Sequence, residues 1–140
     1  MIIITLQLVA CQKPKSNYEK IEPSHTEHIE NSELSKLTLT KRAIERLSIE
    51  TATVTEELLA NSSGGQNLKK VTPYASVIYD ANGLVWVYTN PEPMVYIRHK
   101  IEIDFIRGDK AYLLEGPSVG TVVATQGAAE LYGTEYNIGH

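Results

Sequence analysis

Between positions 94 and 106 the chain alternates. Val95, Ile97, His99, Ile101, Ile103 and Phe105 fall on one side, and Tyr96, Arg98, Lys100, Glu102 and Asp104 on the other. A period of two is that of a strand with one covered face, so the stretch predicts a long amphipathic strand, apolar inwards and charged outwards. His99 stands at an apolar position and reads as a satisfied sheet or core imidazole rather than a ligand. Arg107, Gly108 and Asp109 turn the chain, as a β-turn between two strands requires, and residues 110–114 return. Residues 84–88, Leu-Val-Trp-Val-Tyr, are continuously apolar, which predicts a strand covered on both faces. Ahead of them Asp80-Ala-Asn-Gly83 is a turn, with Asn82-Gly83 supplying positive φ. Residues 72–79 predict a strand with Pro73 near its start, where a missing N–H is tolerated. Asn90-Pro-Glu-Pro93 interrupts the pattern, residues 121–125 give a last strand, and residues 127–131 close the domain.

The earlier half is weaker in signal. Residues 36–39 predict a short strand. Thr40 is a good N-cap for a two-turn helix over 41–47, in which Ala43, Ile44 and Leu47 share one face. Residues 49–56 are rich in β-branched types and predict another strand. Residues 58–70 contain Ser62-Ser-Gly-Gly65 and read as a flexible internal linker between two parts of one sheet structure. The sum is a mainly β fold, a small β-barrel or sandwich of about seven strands with one short helix.

Composition narrows the function. A chain of 140 residues and 15.6 kDa has material for one core. Its net charge of -4 argues against a general nucleic-acid binder, which carries a basic stripe. No nucleophile, base and orienter occur in a local signature, and no phosphate loop, dinucleotide-binding glycine motif or His-Glu-x-x-His is present. The chain therefore reads as a non-catalytic protein without a cofactor. The single Cys excludes an internal disulfide and a multi-thiolate zinc site.

That Cys follows an apolar run, and a polar, turn-rich segment follows it. The run is too short to span a bilayer, which needs about 20 apolar residues, but has the length of a signal-peptide apolar region. Leu8-Val-Ala-Cys11 resembles the bacterial lipobox, although no Lys or Arg precedes Lys13. The resemblance implies a lipoprotein signal over 1–10, diacylglycerol on the Cys11 thiol and a protein held on a membrane in the bacterial cell envelope, facing the periplasm. Gln12 is not the Asp of an inner-membrane retention signal. Residues 11–33 read as a flexible tether, with no apolar period to order it. It carries His25 and His28 with Glu27 and Glu30 nearby, residue types that can hold a transition metal. In a flexible segment they would form only a weak, unselective site, and the residues read rather as a polar linker with two solvated His. The ordered domain is expected over 34–140.

Residues 71–88, from Val71 to Tyr88, resemble the strand-turn-strand that opens the membrane-proximal domain of periplasmic adaptor subunits. These are the HlyD-like membrane fusion proteins of resistance-nodulation-division efflux pumps. Pro73, Ala75, Val77, Asp80, Gly83, Trp86, Val87 and Tyr88 carry the likeness. Residues 95–98, 116–123 and 127–131 are similar to the family's later segments, and 39–54 to its lead-in helix and strand. Complete adaptors insert a lipoyl-like domain and a long helical hairpin where this chain has residues 58–70. The resemblance implies a lipid-anchored module that touches an inner-membrane efflux transporter or a full-length adaptor to support export. The charged face of Arg98, Lys100, Glu102 and Asp104, with the 90–93 loop, is the expected contact surface; a solvated strand face accounts for the same residues. The alternative function is a metal-binding lipoprotein that passes ions from His25 and His28 to such a pump.

Overall fold

The computed structural model describes residues 20–137. Cys11 and the segment that resembles a lipobox lie outside the described residues. Among the described residues the fold is mainly β, one ten-stranded sheet curled into a half-barrel with two helices. In chain order the strands are β1 (Ser24–His28), β2 (Ser35–Leu39), β3 (Glu50–Thr53), β4 (Thr55–Ala60), β5 (Gln66–Pro73), β6 (Ile78–Tyr79), β7 (Val85–Glu92), β8 (Val95–Arg107), β9 (Lys110–Glu115) and β10 (Val122–Gln126). Helix α1 (Lys41–Arg46) follows β2, and α2 (Ala128–Glu135) follows β10.

The main path runs β3-β10-β7-β8-β9-β5-β4. Its two outermost strands, β3 and β4, are separated in the chain by Val54 alone. Consecutive Cα atoms are about 3.8 Å apart, so the ends of the path must meet, and the sheet has to curl. Val54 is fully buried at this seam. Its N–H donates to Thr121 O and its carbonyl accepts from Gly120 N, both at 2.8 Å. This is why the β-branched run 49–56 forms two strands instead of one.

The curl gives β7 two covered faces. Tyr88 packs on one side with Leu37, Leu39, Ala43, Tyr96, Ala124 and Leu131. Val87 packs on the other with Val54, Ile101, Ala111, Leu113 and Val123. The continuous apolar run of β7 thus meets the burial it predicts. Thr40 caps α1 as its sequence position implies, its Oγ1 accepting from Ala43 N at 3.1 Å.

Five segments differ from the expectation. The 58–70 stretch is not a linker but the β4–β5 hairpin, with Glu56 opposite Lys70, Glu57 opposite Lys69 and Leu58 opposite Leu68. Asn61 organises its turn, Oδ1 accepting from Ser63 N at 3.1 Å and Gly65 N at 2.7 Å. Part of the expected tether is strand. β1 adds to the edge of β2, held by backbone pairing and by Lys36 against Glu27 at 2.5 Å rather than by apolar burial. Pro73 ends β5 instead of opening a strand. Residues 128–135 form a helix, whose Ala128 and Leu131 are buried against the sheet. The 90–93 loop is also tighter than a break. β7 runs on to Glu92, and Asn90 Nδ2 donates to Glu92 O at 2.7 Å and Val95 O at 2.8 Å.

Candidate functional site

Strand β8 changes role half-way. Its first half pairs with both β7 and β2, and its second half with β9. A register shift between Ile103 and Phe105 leaves Asp104 without a partner opposite. The side expected to be charged and outward is therefore split. Tyr96 and Arg98 face α2 and are each 3% exposed, whereas Lys100 and Glu102 reach solvent. Asp104 is half-exposed and pairs with Lys69 Nζ at 2.6 Å. Arg98 is thus no surface contact residue: helix α2 covers it. The expected contact row reduces to Lys100 and Glu102, with Asp104 tied to the β4–β5 hairpin.

The Arg98 guanidinium sits 4.2 Å over the ring of Trp86 and 5.2 Å over that of Tyr136. Its Nε donates to Glu135 Oε2 at 2.8 Å, and the Tyr88 hydroxyl donates to the same oxygen at 2.5 Å. Burial works against the charge of Arg98, but the hydrogen bond and charge of Glu135 outweigh it and hold its pKa above the ordinary value. Burial, then the hydrogen bond to Glu135, push the Tyr88 hydroxyl far above its usual range. This cluster is a structural tie between α2 and the sheet: Glu135 Oε2 takes hydrogen bonds from both strands, and among the described residues no buried side-chain polar atom lacks a partner. A shallow groove of about 380 Å³ runs past it, edged by Leu34, Trp86, His99 and Lys100. His99 is exposed along that edge, not in the core. Burial, then Lys70, lower its pKa below 6.5.

Trp86 is fixed from the turn before it. Asp80 Oδ2 accepts from Trp86 Nε1 at 2.9 Å, while Oδ1 accepts from Asn82 N at 2.8 Å and Leu84 N at 2.9 Å. The hydrogen bond from Trp86, with those from the backbone, holds the Asp80 carboxyl below its ordinary range. The turn, the indole and the cation stack form one rigid unit.

Comparison with protein-family models, with curated proteins and with solved structures finds no match for this chain.

The two candidate metal ligands lie on β1, where the pairing with β2 is regular. Strand residues three apart point to opposite faces, so the imidazoles of His25 and His28 diverge. His25 Nε2 lies 3.4 Å from Glu27 Oε1. Among the described residues no group of three His, Cys, Asp or Glu side chains is placed to hold a metal ion. No helix among them is long and apolar enough to cross a membrane.

The sequence reading missed the residues that shape this surface. Glu135 could have been found through α2, since Ala128, Leu131, Tyr132 and Glu135 follow the i, i+3, i+4, i+7 spacing of one helix face. A second cluster, of Glu57, Tyr112, Phe105 and Arg107, had no local signal. It joins β4, β8 and β9. Tyr112 OH donates to Glu57 Oε2 at 2.6 Å, Lys110 pairs with Glu57, and the Phe105 and Tyr112 rings stack at 4.4 Å.

Proposed function

We propose that this chain is a lipid-anchored, non-catalytic contact module of the efflux-adaptor kind, working at the periplasmic side of a bacterial envelope. Export would be served by protein contact, with the β7–β8 hairpin tip and the Lys100–Glu102 edge touching an inner-membrane transporter or a full-length adaptor. The observation that supports this best is the 71–88 unit. Its resemblance-bearing residues Asp80, Gly83 and Trp86 are the ones that form the turn and lock it to β7. Next to it the hairpin tip is rigid and exposed. Asn90 clamps it from within, Leu39 N donates to Met94 O at 2.9 Å, and Met94 holds φ at 65° with its side chain outward. A preformed loop loses little conformational freedom on binding.

The test is capture of the lipidated protein from detergent-solubilised envelopes, followed by identification of what it retains. An inner-membrane transporter or its adaptor is expected. The double variant Lys100→Glu, Glu102→Lys is expected to lower its recovery with folding unchanged. Recovery of neither partner by a natively folded protein would overturn the reading.

A further inference from the structure

The chain enters its described part at Lys20 beside a groove of about 620 Å³. Ile21, Pro23, Thr40, Lys41, Arg42 and Arg46 line it, together with the buried Ala43. Three of these are exposed cations and none is a carboxylate, in a chain whose net charge is -4. The nearest acids stand outside the lining. Glu22 lies 3.4 Å from Lys20, and Glu45 follows Lys41 by one turn of α1. No ion pair engages Lys41, Arg42 or Arg46 among the described residues. Arg42 and Arg46 share one helix face, four residues apart. Ile21, at 79%, is the most exposed of the large apolar side chains on the described surface.

Cations beside a bare aliphatic side chain are the chemistry of a bilayer interface. Phosphates take the charge, and the apolar group enters the boundary of the acyl region. The position agrees with this. Cys11 precedes Lys20 by nine residues, a reach of at most about 30 Å even when extended. We infer that the α1 groove is a docking face for anionic phospholipid, with Lys41, Arg42 and Arg46 on headgroup phosphates and Ile21 at the interface. The inference rests on the lipid-anchor reading for how the face is brought to the bilayer, and on the groove itself for what it binds. It orients the domain. The α1 end faces the membrane with the β7–β8 hairpin tip beside it, where Leu39 N donates to Met94 O, and the Lys100–Glu102 edge remains free for protein contact.

The experiment measures partition of the full chain, acylated and unacylated, onto phosphatidylcholine vesicles with and without phosphatidylglycerol. Each cation near an anionic surface adds roughly fivefold to partition, so the three together give a preference of about a hundredfold for the anionic vesicles. Lys41→Gln with Arg42→Gln and Arg46→Gln should remove it, as should salt near 1 M, where the screening length falls to about 3 Å. Lys69→Gln with Lys100→Gln and Lys110→Gln removes the same charge elsewhere and should leave it in place. The proposal is overturned if the wild-type chain shows no preference, if the α1 variant keeps it, or if the control triple variant loses it equally. Mass spectrometry of the N-terminal peptide reads the anchor separately. Without acylation at Cys11 the anchor reading fails while the unacylated chain still prefers anionic vesicles. A failed groove leaves acylated protein bound equally to both kinds of vesicle.

Discussion

Arg98 Nε lies 2.8 Å from Glu135 Oε2, across 37 residues of chain, and both side chains are 3% exposed. The pair joins the middle of the sheet to the last helix, and Tyr88 completes it from the neighbouring strand. A buried charge pair is costly to form but more costly to halve, because one uncompensated charge stays out of water. Glu135→Ala should therefore destabilise by about 3–5 kcal/mol. Arg98→Met with Glu135→Leu should lose far less, since both charges leave together. Urea denaturation of the two variants checks this, and equal losses would contradict it.

The seam at Val54 gives a second expectation. Its side chain is fully buried where the two ends of the sheet path meet. Val54→Ala removes two carbons and leaves a cavity, for a cost of about 2 kcal/mol. Val54→Asp leaves an unpaired charge at the seam and should abolish cooperative thermal unfolding, as calorimetry would show.

Two glycines in left-handed conformation separate backbone strain from crowding. Gly83 has φ 78° with open space where a Cβ would sit, and Gly127 has φ 79° with Ile49 Cγ1 only 2.7 Å from that position. Gly83→Ala should cost about 1–2 kcal/mol from backbone conformation alone. Gly127→Ala should cost more, because Leu47 O and the Ile49 backbone also crowd the added carbon, at 3.2 Å and 3.3 Å. Thermal melts of both variants give the comparison.

Acid should weaken the fold through three carboxylates. Lys36 lowers the pKa of Glu27, Lys110 and then Tyr112 lower that of Glu57, and Trp86 lowers that of Asp80. Each binds a proton less readily in the folded chain than in the unfolded one. Their contribution is complete above the ordinary values of 4.5, 4.5 and 3.8 and is lost as pH falls through the lower folded values. His99 adds a loss of the same sign as pH falls below its ordinary 6.5 through its lower folded value, because burial and then Lys70 depress its folded pKa. Stability measured from pH 7 downward should therefore fall, and Asp80→Asn should make that fall shallower. A profile that rises towards acid would refute the assignment.

Much of the fold was legible where the signal was local. The Asp80–Gly83 turn, the Thr40 cap and the long β8 follow from residue type and period, and each forms at its expected place. The candidate site was legible only in part. Lys100 and Glu102 stand exposed as their period implies, but Arg98 does not. Nothing in its own neighbourhood tells that Glu135 will arrive from α2 to neutralise it. The Ser62–Gly65 stretch has the composition of a linker and becomes a hairpin turn because Asn61 holds the turn from within and β5, anchored on β9, offers its other edge to β4.

By itself the sequence determined that the chain is mainly β, that β7 is covered on both faces and that α1 starts after Thr40. Periodicity, capping and turn chemistry act over a few residues and need no knowledge of the rest of the chain. Only the tertiary structure decided which charged residues remain on the surface. Burial of Arg98, closure of the sheet at Val54 and the convergence of Lys41, Arg42 and Arg46 with Ile21 depend on partners brought together by curling. Such pairings are set by long-range packing and charge neutralisation, and these leave no mark on the period of a single strand.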